Sequence, residues 1–139
     1  MDLAEELGAA LLASAGDAII AADAEGKIRF WNPGSERVFG YSATEAIGQS
    51  LDLIIPEALR KRHWEGYGGV MRKGQSRYGE GDVLAVPGLR KDGKRISLEF
   101  TIVPLRGPGG SLNGMGAVLR DVTVRFEELR ALRKKAGGS

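Results

Sequence analysis

Apolar residues recur at helical spacing at both ends of the chain. The first stretch, from about Asp2 to Ser14, is predicted to form a short amphipathic helix. The last stretch, Val124–Lys135, is predicted to form a mostly polar helix with one apolar stripe. The apolar positions of the two stretches are Leu3, Leu7, Leu11 and Leu12, and Val124, Phe126, Leu129 and Leu132. Each apolar face is expected to pack on the domain or on a partner.

A β-hairpin and a short helix are predicted next. The apolar run 17–22 and the alternating run 27–31 flank the acidic turn Asp23–Gly26, which predicts two paired strands. Asn32 can cap a helix whose first position is a proline, so a short helix is predicted over 35–39, ending at Gly40.

Two further helices are predicted in the middle of the chain. Ser42 and Glu45 have the spacing of a capping box and predict a one-turn helix that ends at Gly48. The longest internal helix is predicted from Pro56 to about Arg72. It contains glycines at 66, 68 and 69, so we expect it either to bend there or to approach something closely with its backbone.

The second half of the chain alternates like β-strands. Strands are predicted over 78–86, which Pro87-Gly88 closes, 94–105 and 113–122, with a tight turn at 90–93 and a loop at 107–110. The element order predicts an α+β domain with a five-stranded antiparallel sheet and helices on one face. A cavity is expected between the long helix and the sheet. The predicted division is a helix over 1–16, a domain over 17–123 and a helix with a tail over 124–139.

Composition excludes several kinds of site. The 139 residues suit one domain, and 42% hydrophobic content is enough for a core. Without cysteine there is no disulfide, iron–sulfur cluster, cysteine nucleophile or cysteinyl flavin adduct, and one histidine cannot form a multi-histidine metal site. No apolar run of 18 residues occurs and the start of the chain is acidic, so we expect a cytoplasmic protein that does not enter a membrane.

Charge and motifs argue against nucleic-acid binding and against catalysis. The 20 basic residues are nearly balanced by 18 acidic ones, the basic clusters resemble solvated faces, and 6% aromatic content offers few stacking platforms. No G-x-S-x-G motif or phosphate-binding loop occurs, and the single histidine, His63, lies in a basic run. We therefore expect neither a nucleic-acid partner nor an enzyme.

Several short motifs in a fixed order resemble the PAS domain family. They span 17–123 and comprise Asp17-Ala18-Ile19-Ile20, the turn at 23–28, Trp31-Asn32-Pro33, Phe39-Gly40-Tyr41, Glu45-Ala46-Ile47-Gly48, Arg90-Lys91-Asp92-Gly93 and Arg120-Asp121-Val122-Thr123. The resemblance implies the PAS fold and a sensory or dimerisation module, without an effector of its own in this stretch of chain. It implies signalling to an effector protein or domain in trans, as in two-component systems, and a homodimer formed through the terminal helices.

The segment that contains His63 resembles one group within the PAS family in particular. The segment Pro56–His63 is similar, without a gap, to the heme-binding PAS domains of rhizobial oxygen-sensor kinases, in which a histidine at this spacing is the axial ligand. This implies heme b as the cofactor and His63 as the metal ligand. The candidate cofactor-binding residues are His63, Tyr67, Val70, Met71, Leu84, Val86, Leu98 and Met115. Those kinases hold bound oxygen with an arginine on the following strand, whereas the stretch 81–86 of this chain has none.

Two functions of different classes remain open from the sequence. One is a sensor that binds heme or another small ligand, with His63 directed into the cavity. The other is a ligand-free dimerisation and protein-interaction module, in which His63 belongs to a solvated basic helix face. Trp64, beside His63, is expected to line a pocket or to serve as a surface or dimer anchor. A roomy apolar cavity favours the first function, and a collapsed or polar one favours the second.

Overall fold

A computed structural model describes residues 2–74 and 83–137. The helices are α1 (Leu3–Leu12), α2 (Pro33–Phe39), α3 (Ala43–Ala46), α4 (Glu57–Lys73) and α5 (Thr123–Gly137). The strands are β1 (Ala18–Asp23), β2 (Ile28–Trp31), β3 (Leu84–Leu89), β4 (Arg95–Arg106) and β5 (Leu112–Asp121). Two short 3-10 helices lie at Leu51–Ile54 and Pro108–Gly110. These elements confirm the predicted α+β class and the five-stranded antiparallel sheet.

The sheet places the first and last strands side by side near its centre. The strand order is β2-β1-β5-β4-β3, and every neighbouring pair is antiparallel. Ala18 in β1 pairs with Leu119 in β5, so β1 begins where β5 ends. The connections to α1 and α5 therefore leave the sheet at the same end.

Alternating side chains of the sheet form one side of the core. Ala18, Ile20 and Ala22 of β1 are buried, while the residues between them are partly exposed. The helical segments cover this face. The buried core cluster comprises Ala18, Ile20, Ile28, Trp31, Val38, Phe39, Ala46, Ile54, Ile96, Leu98 and Leu119.

Asn32 links α2 to the chain segment before β1. Its side-chain oxygen accepts hydrogen bonds from the Ser35 backbone N–H and from the Ile19 N–H at 2.8 Å. Its amide donates to the backbone carbonyls of Ser14 and Asp17, both at 3.0 Å. The predicted helix cap is confirmed, and the same side chain also holds together backbone from three separate segments.

One predicted strand boundary is wrong. The sequence predicted a strand over 78–86 that ends before Pro87, but β3 continues through Pro87 to Leu89, and residues 75–82 lie outside the described part. Pro87 pairs with Ser97 of β4. β3 is an edge strand, so one of its sides has no neighbouring strand, among the described ones, to accept hydrogen bonds. A proline, which lacks an N–H, is therefore tolerated there.

None of the helices within residues 2–74 and 83–137 is long and apolar enough to cross a bilayer.

Candidate functional site

Helix α4 carries the predicted histidine, and its two ends have residues that are typical of helix ends. Pro56 precedes it, Glu57 lies in the first turn, and Arg72 and Lys73 lie in the last turn, which suits the helix dipole. Gly74, at φ +72°, ends it. No residue of α4 is fully buried, so side-chain contacts rather than a buried face hold it to the domain.

The glycines of α4 do not mark a close approach of the helix backbone to another described part of the chain. The helix is continuous from Glu57 to Lys73. Among the described residues, a Cβ atom at Gly66 or Gly69 would meet nothing within 4 Å, and one at Gly68 would meet only the side chain of Arg72, at 3.2 Å. The glycines therefore leave open space beside the helix backbone, and no other part of the described chain packs closely against them.

His63 lies in an aromatic cluster on α4. Its ring centroid is 4.6 Å from that of Trp64 and 5.7 Å from that of Tyr67. Lys61 and Arg62 are exposed, whereas His63 is half-buried. Its Nδ1 atom is buried and has no hydrogen-bond partner among the described residues. His63 thus does not share the solvated surface of its basic neighbours.

The surroundings of His63 favour its neutral form. Burial lowers the pKa of His63 below its usual value, and the nearby Asp52 carboxylate offsets only part of that effect. A neutral imidazole keeps one nitrogen with a free lone pair, which is the form that binds a metal. A buried polar atom without a partner is uncommon in folded proteins and requires an explanation.

Trp64 anchors α4 to the β1–β2 turn and to the 3-10 helix. Its Nε1 donates a hydrogen bond to the Asp52 carboxylate at 2.7 Å. Its ring packs over Gly26, where an added Cβ would overlap the ring atoms. Asp52 also lies 3.9 Å from the guanidinium of Arg60. Trp64 is half-buried in these contacts and links α4 to the rest of the domain, and the interpretation of Trp64 as a surface or dimer anchor stays a prediction.

Tyr67 forms the second link between α4 and the hairpin. Its hydroxyl donates to the backbone carbonyl of Asp23 at 2.5 Å. Burial raises the pKa of Tyr67 to about 12, with smaller contributions from the charges of Asp23 and Glu25. The hydroxyl therefore keeps its proton at any physiological pH and remains a donor.

The remaining candidate residues fall into two regions of the sheet. Val70 and Met71 are half-buried on α4, and Met115 is buried on β5, next to Gly114, which pairs with Asp23 of the hairpin. The second region lies on β3 and β4, where Leu84 is half-buried, Val86 is 40% exposed and Leu98 is buried.

The strand register separates the two regions. Leu98 pairs with Asp121, six residues along β5 from Met115, which is roughly 20 Å at the usual rise of a strand. The hydrogen bond of Tyr67 to Asp23 places α4 near the Met115 end. Leu98 instead belongs to the core cluster, opposite Val86. A single pocket lined by all eight residues stays a prediction.

Sequence reasoning missed Asp52 and did not assign a contact to Gly26. The turn at 23–26 is recognisable from its composition, but its contact with Trp64 joins segments far apart in sequence. The residues next to Asp52 in the sequence do not indicate its role, because that role depends on where the Trp64 ring lies. Within the described residues, no three His, Cys, Asp or Glu side chains converge as a metal-binding group.

A separate groove lies on the sheet near the connections to the terminal helices. It has a volume of about 190 Å³ and includes the ion pair between Asp17 and Arg120, whose atoms lie 3.1 Å apart. Its lining residues are Asp17, Val83, Glu99, Phe100, Thr101, Val118, Leu119 and Arg120. None of the eight candidate cofactor-binding residues lines it.

Comparison with protein families and solved structures agrees with this architecture. A family model described as the PAS fold matches residues 6–122. Among solved structures, the PAS domain of a protein from Colwellia psychrerythraea superimposes with a TM-score of 0.74 and 27% identity, over 88% of this chain and 98% of that one.

Two curated relatives are sensor proteins by name. Sensor protein FixL of Bradyrhizobium diazoefficiens is 33% identical over 121 residues, which are 83% of this chain. Oxygen sensor protein DosP of Escherichia coli is 30% identical over 108 residues, which are 78% of this chain. The chain spans only 23% and 13% of the lengths of these two relatives.

Proposed function

The chain belongs to the PAS family, and from that premise we propose that it is a sensory module that binds heme b beside α4, with His63 as the axial ligand. The observation that carries the proposal is the burial of His63 and of its unpartnered Nδ1 atom. Its ring is half-buried and its Nδ1 is buried without a hydrogen-bond partner among the described residues. A metal ion bound by the imidazole is one explanation for such an atom.

The space beside α4 supports the proposal of a flat cofactor. Within the described residues, a Cβ at Gly66, one turn after the histidine, would meet nothing within 4 Å, which supports room for a ligand next to the helix backbone. We propose that Tyr67, Val70, Met71 and Met115 supply the apolar contacts at this end of the sheet. Contacts of the ligand with Leu84, Val86 and Leu98, which lie in the second region of the sheet, stay predictions. Bound heme would supply an iron able to bind a gas.

The residues of this chain have distinct roles in the proposal. His63 holds the iron and stays neutral because burial lowers its pKa. Trp64 fixes α4 to the β1–β2 turn and so positions the histidine, whereas Tyr67 fixes the helix with its hydroxyl and contacts the ligand with its ring. The relatives named as sensors support a sensory function. An arginine that holds oxygen from β3 is not part of the proposal, since 83–89 contains none.

Signalling is proposed to run through the terminal helices. A ligand can shift the domain between two states only by its difference in affinity for them. We propose that such a shift moves α1 and α5 in a homodimer and so reaches an effector in trans, as in two-component signalling. The expectations of a cytoplasmic location, of no catalytic activity and of the domain division 1–16, 17–123 and 124–139 stay predictions.

A second candidate is a ligand-free interaction module. The observation that favours it is the packing of the aromatic cluster, in which Trp64 and Tyr67 already have hydrogen-bond partners and flank His63. In that case His63 serves only as a packing residue, and the domain functions through its dimer surface alone.

The test is an absorption spectrum after addition of hemin. We expect a sharp Soret band that shifts on reduction and with carbon monoxide. The band should be lost in His63→Ala and kept in Arg62→Ala, an exposed neighbour on the same helix, with unchanged far-UV circular dichroism in both. A spectrum of free hemin in all three proteins would refute the heme proposal and favour the interaction module.

A further inference from the structure

Helix α1 presents its apolar side to solvent. Leu3, Leu7 and Leu11 follow one another at four-residue spacing, so they form one stripe. Their exposed fractions are 77%, 57% and 54%, and no residue of α1 is buried. A helix of ten residues has little stability of its own in water and depends on packing of its apolar face.

Helix α5 is exposed in the same way. Val124, Phe126, Leu129 and Leu132 are 70%, 49%, 44% and 62% exposed, and none of the fifteen residues of α5 is buried. Phe126, Leu129 and Leu132 recur every three residues and share one side of the helix. The molecule thus carries two apolar helix faces that its own described residues leave uncovered.

The sheet brings these two helices to one end of the domain. Ala18 pairs with Leu119, and the Asp17 carboxylate forms an ion pair with the Arg120 guanidinium just beyond these positions. α1 ends a few residues before β1, and α5 begins directly after β5. Although they leave from neighbouring strands, both helices remain exposed, so they do not cover each other within one chain.

The two helices carry opposite charge. The segment 1–16 contains three acidic residues, Asp2, Glu5 and Glu6, and no lysine or arginine. The segment 123–139 contains five basic and two acidic residues, a net charge of +3. The basic residues are Arg125, Arg130, Arg133, Lys134 and Lys135. A surface with an apolar centre and opposite charges at its edges favours one partner and one register.

We propose that a second copy of this chain covers both faces, with the acidic α1 of each copy packed against the basic α5 of its partner. The proposal rests on the homodimer of the proposed function and names the contact that forms it. In a symmetric dimer the same contact occurs twice. At the usual rise of a helix, α1 is about 15 Å long and α5 about 22 Å, so α1 can lie along most of α5.

The experiment uses two charge-reversed proteins. One carries Glu5→Lys and Glu6→Lys, and the other carries Arg130→Glu and Arg133→Glu. Each alone places like charges at both contacts, so its dimer should dissociate about 10- to 100-fold more readily than that of the unchanged protein. In an equimolar mixture both contacts again join opposite charges, so a heterodimer should form. Sedimentation equilibrium measures each case, and circular dichroism checks folding.

A matched control reverses two basic residues elsewhere. Lys94→Glu with Arg95→Glu changes exposed charges at the β3–β4 turn and should leave the dimer unchanged. A mixture that stays monomeric, variants that dimerise as well as the unchanged protein, or an unchanged protein that is monomeric would each overturn the proposed pairing. The hemin spectrum of the same samples tests His63 independently, so failure of the pairing is distinguishable from failure of the heme proposal.

Discussion

The contact between Gly26 and Trp64 predicts a large loss of stability from one added methyl group. Gly26 has φ +80°, and an added Cβ would lie well inside 3.0 Å of the Trp64 ring. Gly48 has φ +92°, but a Cβ there would meet no atom of residues 2–74 and 83–137 within 4 Å. The two glycines share the same backbone requirement and differ in the contact, so Gly48→Ala is a matched control for Gly26→Ala.

The expected magnitudes follow from this difference. Alanine in the left-handed region costs about 1–2 kcal/mol, and the reduced entropy of the unfolded chain returns about 0.4–1 kcal/mol, so Gly48→Ala should cost about 1 kcal/mol. Gly26→Ala must also displace the Trp64 ring from its half-buried place and from Asp52. This adds roughly 2 kcal/mol, about half the cost of removing a fully buried tryptophan.

Urea unfolding followed by far-UV circular dichroism measures both variants. With a slope of about 1.5 kcal/mol per molar urea, the midpoint should fall by about 2 M for Gly26→Ala and by less than about 1 M for Gly48→Ala. The same pair of substitutions is then made in a Trp64→Ala background. There the two losses should become equal, because the ring that causes the difference is gone.

Two results would refute this reasoning. Equal losses for Gly26→Ala and Gly48→Ala in the unchanged background would show that Trp64 does not pack over the turn. A difference that persists without Trp64 would show that another group near Gly26 is responsible. Either result would also remove the argument that Trp64 positions α4 and His63.

Three further predictions concern His63, Asn32 and the Lys91–Glu45 ion pair. Because burial lowers the pKa of His63, its proton NMR signal, the only histidine signal in the chain, should titrate below pH 6.5. As pH falls, the unfolded chain protonates its histidine before the folded protein does, so the folding stability should decrease between pH 6.5 and the pKa of His63 in the folded protein. An NMR titration midpoint at or above 6.5 would contradict the burial of His63. Asn32→Ala should cost about 3 kcal/mol in urea unfolding, because it leaves three part-buried backbone groups unpaired, and a loss below about 1 kcal/mol would contradict that account. The hydrogen bond from Lys91 lowers the pKa of Glu45, so Lys91→Ala should raise that pKa toward its ordinary value in a carbon-detected titration, and an unchanged value would contradict the pair.

The sequence predicts one pocket lined by residues of α4, β3, β4 and β5, and this pocket stays a prediction. The register pairs Leu98 of β4 with Asp121, which lies roughly 20 Å along β5 from Met115. Side-chain alternation indicates which face a residue occupies, but it does not indicate how far along the sheet a helix lies.

The sequence alone determined the features whose partners are a few residues apart. The capping box of Ser42 and Glu45, the cap at Asn32 and the glycine at the end of α2 are all present as predicted. Each depends on a hydrogen bond or a φ angle within one turn of chain, so the local order of residues is sufficient. The order of helices and strands, and with it the fold, follows from such local signals together with apolar spacing.

The tertiary structure alone decided which distant groups meet. Tyr67 reaches the Asp23 carbonyl and Trp64 covers Gly26 only because α4 crosses the β1–β2 turn. Pro87 is tolerated within β3 because that strand lies at the edge of the sheet. His63 differs from its exposed neighbours because the helix turns its ring toward Trp64, Tyr67 and the protein interior. These outcomes depend on the packing of whole elements, since a side chain's burial and partners are set by what lies opposite it in space.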